Sequence, residues 1–211
     1  MDLYYIDGSP FARITRVLAR ELGLPVTERE VLEFPPVPEF FALNPLGQVP
    51  VLVEAGKAYF PTRIIIDVLF SKATATAGPL VRAVCRAEHG VEDAQIMAMI
   101  LAMGDALVAH HYLDWAGVAP VGRNRLGFDP AVRNMLRVSA ALDWLEDRMA
   151  GDGFQPGLIS AQDIALTCFI LWAESRGPIE WRGRRRIEAM IARLEQRASF
   201  AQTIPQPHAL K

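Results

Sequence analysis

Ser9 and Pro10 are the first residues along the chain whose types and spacing could do chemistry. They follow a short apolar stretch and directly precede residues with helical hydrophobic spacing. Serine at this place is a typical helix N-cap, and proline is tolerated as the first helical residue. The Ser9 hydroxyl would also lie beside the positive end of the helix dipole, where it could donate to an anion. Both roles stay open on these residues alone.

A second candidate is Val49-Pro50, within the run Asn44-Pro-Leu-Gly-Gln-Val-Pro-Val-Leu. Proline has no N–H for a sheet ladder, so it belongs at the start or edge of a strand. A Val-Pro bond can adopt cis at modest cost, which would turn the Val49 backbone outward. An outward N–H and C=O beside a sheet edge can pair with an extended peptide. The alternative is a structural turn that enters the strand.

The third group of candidates lies on one apolar stretch, from about residue 91 to 112, which predicts a long helix. Asp105 is an acid in this stretch, where an unpaired buried carboxylate would be costly. Exposure to solvent is an equally good explanation. His110 and His111 follow, but neighbouring residues point about 100° apart on a helix. They are therefore not a chelating pair, and we expect no metal site.

The cysteines exclude a dithiol redox protein. Such a protein needs Cys-x-x-Cys after the first strand, and Ser9 and Ala12 occupy those places. Cys85 and Cys168 fall on apolar-patterned helices, where we expect inert core residues. Disulfide exchange through a protein thiolate at this position is therefore ruled out.

Composition and net charge limit the classes of binding partner and the location that we expect. The chain has 211 residues, a formal charge of −2 and a pI near 6.1, which disfavours non-specific binding to nucleic acid or anionic membranes. The basic cluster at 182–186 lacks interleaved aromatics and is typical of the polar start of a helix. The apolar runs read as too short or interrupted to span a bilayer. Residues 1–4 have no positively charged leader, so we expect a cytoplasmic protein.

The periodicity predicts two domains. Residues 1–72 indicate strand–helix–strand, a proline-rich loop, then a hairpin and a helix, which is an α/β unit. Residues 73–82 are the best linker candidate. Residues 83–211 are patterned as helices throughout, and Ser160-Ala-Gln-Asp before an apolar run is a capping box.

These features together resemble the cytosolic glutathione S-transferase superfamily, in particular bacterial members whose first helix begins Ser-Pro-Phe. The matching parts are Ser9-Pro-Phe, the run from Asn44 to Leu52, the domain order, the capping box and the terminal segment 197–205. The resemblance implies a thioredoxin-like N-terminal domain, an all-helical C-terminal domain, glutathione as co-substrate, no metal and a homodimer. The active site would lie between the domains.

The resemblance also assigns roles in the glutathione site. Val49, before a cis Pro50, would pair with the cysteinyl backbone of glutathione. Ser9 would stabilise the glutathione thiolate, because only the thiolate is a strong nucleophile.

At the γ-glutamyl end the chain departs from the family. Relatives have an acid and then Ser or Thr at the start of the helix after the hairpin; here Pro61 replaces the acid and Thr62 keeps the hydroxyl. Asp105 is expected to supply the missing acid, from the partner subunit. The basic residue that relatives use for the glycyl carboxylate has no counterpart between Glu30 and Gly56.

We therefore predict transfer of the glutathione thiolate to a small hydrophobic electrophile, in detoxification. The pocket for this second substrate is expected to include Phe11, His110, His111 and Tyr112. Two alternatives stay open. One is a non-catalytic glutathione-binding or interaction protein, and the other is a glutathione-dependent lyase or etherase. Fold alone does not choose among them.

Overall fold

The computed structural model describes residues 1–32, 38–73, 81–82, 90–118, 127–155, 157–177 and 179–205. Cys85, most of the predicted linker 73–82 and most of the proline-rich loop lie outside this range. The chain forms an α/β half followed by a helical half, as the sequence predicts.

The N-terminal half is built on one four-stranded sheet. Its elements are β1 (Asp2–Tyr5), α1 (Pro10–Glu21), β2 (Thr27–Glu30), β3 (Val51–Glu54), β4 (Lys57–Tyr59) and α2 (Thr62–Lys72). The strand order is β2-β1-β3-β4, in which β1 and β2 are parallel and the other pairs are antiparallel. A short 3-10 turn, Pro38–Ala42, precedes β3. This mixed sheet with helices is the predicted thioredoxin-like arrangement.

Local sequence signals set these boundaries. Ser9 caps α1 and Pro10 is its first residue, while Gly23 follows the helix with a φ of +64°. The β3–β4 hairpin turns at Ala55 and Gly56, both with positive φ. Pro61 differs from the expectation that it begins the helix, because it is the N-cap of α2 and Thr62 is the first helical residue.

The C-terminal half consists of helices around one buried helix. Its elements are α3 (Gly90–Trp115), α4 (Pro130–Glu146), α5 (Ala161–Glu174), α6 (Arg185–Glu195) and α7 (Ala198–Ala201). A two-residue strand pair, β5 (Val81–Arg82) with β6 (Ile159–Ser160), joins this half and was not predicted. The basic cluster begins α6, as expected, and Arg184 pairs there with Asp143 at 2.6 Å.

Helix α5 is buried along nearly its whole length and packs on both α1 and α3. Its first turn carries the predicted capping box: the Ser160 hydroxyl accepts from Asp163 N–H at 3.0 Å, and Asp163 accepts from Ser160 N–H at 2.8 Å. Burial raises the pKa of the Asp163 carboxyl to about 6.

Helix α3 is long and apolar enough to cross a membrane by length and composition, with a mean hydropathy of 1.4 over 18 residues. The expectation that no apolar run reaches that length was therefore wrong. Its residues Ile96, Met97, Ile100 and Met103 are buried in the core shared with α4 and α5. A core helix passes the same composition test, so this single helix is weak evidence for a membrane span.

Contacts between the halves hold the site together. The Trp172 indole N–H on α5 donates to the Gly8 carbonyl, directly before Ser9, at 2.8 Å. At the other end of α1, Arg197 pairs with Glu21 through two hydrogen bonds of 2.8 and 2.7 Å. The two halves thus bury one continuous core, and their faces define a cleft.

Candidate functional site

A cavity of about 690 Å³ lies in the cleft between the two halves. This is within the usual size of a pocket for a small ligand. Its N-terminal wall comes from the start of α1, the loop before β3 and the start of α2. Its other wall comes from α3 and the end of α5. The predicted site residues that line it are Ser9, Phe11, Val49, Pro50, Pro61, Thr62, Asp105, His111 and Tyr112.

Ser9 is both the cap of α1 and part of the cavity wall. Its Oγ accepts a hydrogen bond from Ala12 N–H at 3.2 Å. A serine hydroxyl has one donor and two acceptor positions, so the cap leaves the O–H able to donate. Capping and donation toward the cavity are therefore compatible, and the sequence-based alternatives for Ser9 do not exclude each other.

The loop before β3 is shaped by Asn44, which is 2% exposed. Its Nδ2 donates to the Gln48 carbonyl at 2.7 Å, and its Oδ1 accepts from Leu46 N–H at 3.0 Å. Gly47 has a φ of +59°, and a Cβ there would lie 2.4 Å from the Phe41 ring. These requirements explain physically why the run contains Asn44 and Gly47.

The Val49-Pro50 peptide bond is cis, as predicted, and Val49 lines the cavity. Within the described part of the chain, the Val49 backbone makes no hydrogen bond outside a strand or helix ladder. Its N–H and C=O are thus available to an extended ligand beside the sheet edge. Phe60-Pro61 is also cis, which the sequence did not lead us to expect.

The start of α2 offers a place for an anion. Pro61 has no side-chain acceptor to cap the helix, and Ile64 is the first residue whose N–H reaches back, to the Pro61 carbonyl at 2.9 Å. The N–H groups of Thr62 and Arg63 therefore have no intrahelical acceptor. Thr62 is 3% exposed and lines the cavity with its neighbour Arg63. Backbone donors at a helix start favour a carboxylate.

On the opposite wall, Asp105 extends from α3 into the cavity of its own subunit. Asp105 is exposed to solvent in the single subunit, and the part of it that is buried raises the pKa of its carboxyl above the ordinary value. The preceding residue, Gly104, lets α3 approach α5 closely, since a Cβ there would lie 2.2 Å from the Phe169 ring. Asp105 thus needs no second subunit to reach a ligand. Its delivery to a partner's site stays a prediction.

An aromatic group forms the rest of the helical wall. His111 lies edge-on to Trp172, with ring centroids 5.3 Å apart, and stacks on Trp115 at 5.9 Å. Burial, and then the charge of Arg176, lower the pKa of His111, so the imidazole is neutral at neutral pH. Tyr112 stacks on Trp115 at 6.0 Å, and burial raises the pKa of its phenol.

The structure corrects one predicted pocket residue. His110 does not line the cavity, and its Nδ1 is buried without a hydrogen-bond partner among the described residues. The adjacent residue His111 faces the cavity instead, which fits the angle of about 100° between neighbours on a helix. Phe11 does line the cavity, where its ring packs edge-on to Phe169 at 4.9 Å.

Sequence reasoning missed the contribution of α5. Trp172 and Arg176, which are four residues apart, line the cavity, and Ser175 lies in the wall beside them. The run Ile164–Trp172 reads only as an apolar segment, so no local signal identifies Trp172 as a cavity residue. The described residues contain no group of three or more His, Cys, Asp or Glu that could hold a metal ion.

Comparisons with known proteins relate the chain to one family of domains and to solved structures with the same fold. Residues 3–77 match the family model for the glutathione S-transferase N-terminal domain. Ser9, Val49 and Thr62 lie within these residues. No curated protein gives a sequence match.

Solved glutathione transferases share the fold across both halves. One from Methylobacillus flagellatus, with glutathione bound, is 23% identical and covers 97% of this chain and 99% of its own, at a TM-score of 0.80. One from Methylobacterium radiotolerans, in complex with glutathione sulfonate, is 22% identical over 100% of this chain and 97% of its own, also at 0.80. A family member from Pseudomonas fluorescens with bound glutathione is 22% identical over 98% and 99%, at 0.78. Residues 3–77 thus match the glutathione S-transferase N-terminal domain, and the chain as a whole has the fold of the solved glutathione transferases.

Proposed function

We propose that this protein is a glutathione transferase that joins the glutathione thiolate to a small hydrophobic electrophile. The observation that carries the proposal is the position of Ser9. Ser9 lines the same cavity as Val49, whose backbone has no hydrogen-bond partner among the described residues outside regular secondary structure, and as the aromatic residues of α3 and α5. A nucleophile held at Val49 and an acceptor held at the aromatic wall would thus meet beside Ser9.

Glutathione binds in extended form along the N-terminal wall. The Val49 N–H and C=O pair with its cysteinyl backbone in the manner of an added strand. Its γ-glutamyl carboxylate accepts hydrogen bonds from the Thr62 hydroxyl and from the N–H groups of Thr62 and Arg63 at the start of α2. Asp105 accepts from the γ-glutamyl amine, which compensates for Pro61 in the place of an acid. The raised pKa of Asp105 falls when this cation neutralises its environment.

Ser9 then stabilises the nucleophile. The thiol proton leaves to solvent, and the thiolate accepts a hydrogen bond from the Ser9 hydroxyl beside the positive end of α1. The sulfur attacks an electrophilic carbon of the second substrate and forms the S–C bond. Where that carbon bears a leaving group, the group departs with the electron pair of the bond that breaks. The aromatic wall, with Phe11, His111 and Tyr112, holds the apolar body of the acceptor.

The two alternatives differ in what the aromatic wall does. A non-catalytic binding protein would retain glutathione without turning over acceptors. A lyase or etherase would bind glutathione and cleave a thioether or ether in the same cavity. The cavity extends from the groups proposed to hold glutathione to the aromatic residues of α3 and α5, which favours a second small molecule, and hence an enzyme, over simple retention of glutathione.

Calorimetric titration with glutathione, followed by a panel of aromatic halides, epoxides, enones and aryl ethers, tests the proposal. We expect glutathione binding and conjugation of at least one electrophile. Thr62→Val should weaken glutathione binding. Arg63→Gln is the matched control, because its backbone N–H is kept and its side chain is engaged by Asp67. Turnover of ethers alone would identify an etherase. Binding without any turnover would favour the non-catalytic protein, and no binding would overturn the proposal.

Assembly and location are part of the same proposal. We propose a cytoplasmic homodimer that acts in detoxification. Large apolar side chains are exposed on adjacent helices, with Val91 on α3 85% exposed and Leu136 on α4 66% exposed. Burying such residues between two copies would be favourable. Light scattering after size-exclusion chromatography should give a dimer for the wild type, and Leu136→Glu should shift it toward the monomer.

A further inference from the structure

Two arginines line the cavity, and they differ in their partners. Arg63 forms an ion pair with Asp67 one turn along α2. Arg176, just beyond the end of α5, forms no ion pair with any carboxylate in the described part of the chain. Asp7 is the acid whose charge influences Arg176, and the Asp7 carboxylate is itself bound to Arg16 at 2.9 Å. A half-buried guanidinium in a ligand cavity thus lacks a direct counter-ion.

Neighbouring groups hold this guanidinium in place. Its Cζ lies 5.1 Å from the centre of the Trp172 ring, and Nη1 donates to the Ser175 hydroxyl at 2.6 Å. Trp172 is fixed in turn by its hydrogen bond to the Gly8 carbonyl. A guanidinium has five N–H donors in a rigid plane, so one bond to Ser175 leaves others for a ligand. The cation is therefore positioned before a ligand enters.

Stacking on tryptophan does not by itself account for this arrangement. Arg148 stacks on Trp144 at 3.5 Å, but on the exposed surface and outside the cavity. Arg182 stacks on Trp181 at 4.3 Å and also pairs with Glu174. Arg176 combines a stacked tryptophan, partial burial and a position in the cavity wall. Burial lowers its pKa, which agrees with a cation that has lost part of its water.

The surroundings of Arg176 define the ligand. Its neighbours in the cavity, Trp172, His111 and Trp115, are aromatic, and the neutral His111 does not compete for an anion. We propose that the cavity selects second substrates that carry a carboxylate on a planar apolar body, and that Arg176 binds this carboxylate. This inference rests on the proposed function and names the class of its acceptor.

Glutathione could also supply a carboxylate to Arg176, from its glycyl end. The groups proposed to hold glutathione, at Val49 and Thr62, belong to the N-terminal wall. Arg176 belongs to the helical wall, among the aromatic residues that suit the acceptor. We therefore assign the carboxylate that Arg176 binds to the acceptor. The experiments below distinguish this assignment from binding of the glycyl carboxylate of glutathione.

The first experiment measures binding without chemistry. Calorimetry compares para-nitrobenzoate with para-nitrobenzamide, which has nearly the same shape and no charge. We expect the wild type to prefer the benzoate. Arg176→Gln should weaken binding of the benzoate by about ten-fold or more, as expected for loss of one charged hydrogen-bond pair. It should change binding of the benzamide by less than about two-fold. Arg176→Lys should restore part of the preference. Arg148→Gln, the matched control, should behave as the wild type.

The second experiment measures turnover with a chloronitrobenzoate and its carboxamide. Arg176→Gln should raise KM for the benzoate acceptor only and leave KM for glutathione unchanged. A rise in KM for glutathione with both acceptors would assign Arg176 to the glycyl carboxylate and overturn the inference. A wild type without benzoate preference in the binding assay would also overturn it. Benzoate preference without glutathione binding would instead overturn the proposed function and leave the anion site standing.

Discussion

Replacement of Ser9 by alanine should separate its two roles, because each is measured by a different quantity. The cap is one hydrogen bond of 3.2 Å from Ala12 N–H at a half-buried helix start. Loss of such a cap lowers the free energy of unfolding by about 1 kcal/mol. Loss of a hydroxyl that donates to a thiolate removes a charged hydrogen bond of about 1.5–3 kcal/mol, which corresponds to a rise of roughly 1–2 units in the pKa of the bound thiol.

Ser160 supplies the matched control. It is also a serine N-cap, with a bond of 3.0 Å to Asp163 N–H, but it is fully buried and lies outside the cavity. Ser160→Ala should destabilise the fold by about 1–2 kcal/mol, because the buried capping box is broken, and should leave the thiol pKa unchanged. Ser9→Ala should do the reverse, with a small loss of stability and a large change in pKa.

The two quantities come from urea unfolding and from the ultraviolet absorbance of bound glutathione thiolate as a function of pH. Ser9→Thr, which keeps the hydroxyl, should restore most of the wild-type titration. Equal titration midpoints in the wild type and Ser9→Ala would refute the reasoning and leave Ser9 as a cap alone. The same shift in Ser9→Ala and Ser160→Ala would show that the pKa reports general loosening of the fold.

Three further predictions concern other parts of the molecule. Asp105→Asn should weaken glutathione binding by about ten-fold in calorimetry and leave binding of an analogue without the γ-glutamyl amine unchanged. Equal losses of affinity for both ligands would exclude the amine as the partner of Asp105. Gly104→Ala should lower the free energy of unfolding by about 1–3 kcal/mol, since the new methyl group would meet the Phe169 ring at 2.2 Å; unchanged urea midpoints would contradict this packing. In the folded protein the pKa of Asp163 is about 6, against an ordinary value of 3.8. Between these pH values the folded state binds more protons than the unfolded state, so the free energy of unfolding should fall as the pH rises from 3.8 to 6. Asp163→Asn should remove this contribution, and parallel stability curves for variant and wild type between those pH values would contradict it.

Signals that act over a few residues could be predicted from the sequence. Ser9 and Pro10 begin α1, Ala55 and Gly56 turn the hairpin, and Ser160 caps α5, each through backbone conformation or hydrogen bonds within four residues. Strand and helix periodicity predicted the order of the two domains. The resemblance supplied the cis bond before Pro50, which residue types alone leave undecided.

Features that depend on how the halves pack could not be predicted. Trp172 and Gly8 are 164 residues apart, and nothing near either residue in sequence indicates their hydrogen bond. Whether His110 or His111 faces the cavity depends on the rotation of α3, which is set by its buried contacts with α4 and α5. Helical periodicity fixes the angle between the two histidines and leaves the direction of each undetermined.

The charges in the cavity would act on a bound thiolate in opposite directions. At the place where the resembled family has an acid, Pro61 carries no charge, and an acid there would oppose ionisation of a bound thiol. Asp105 would return a negative charge to the cavity, but in the proposed function the γ-glutamyl amine neutralises it. Arg176 would add a positive charge, without a direct counter-ion among the described residues. An anionic acceptor would repel the thiolate, and pairing of the acceptor carboxylate with Arg176 would reduce that repulsion.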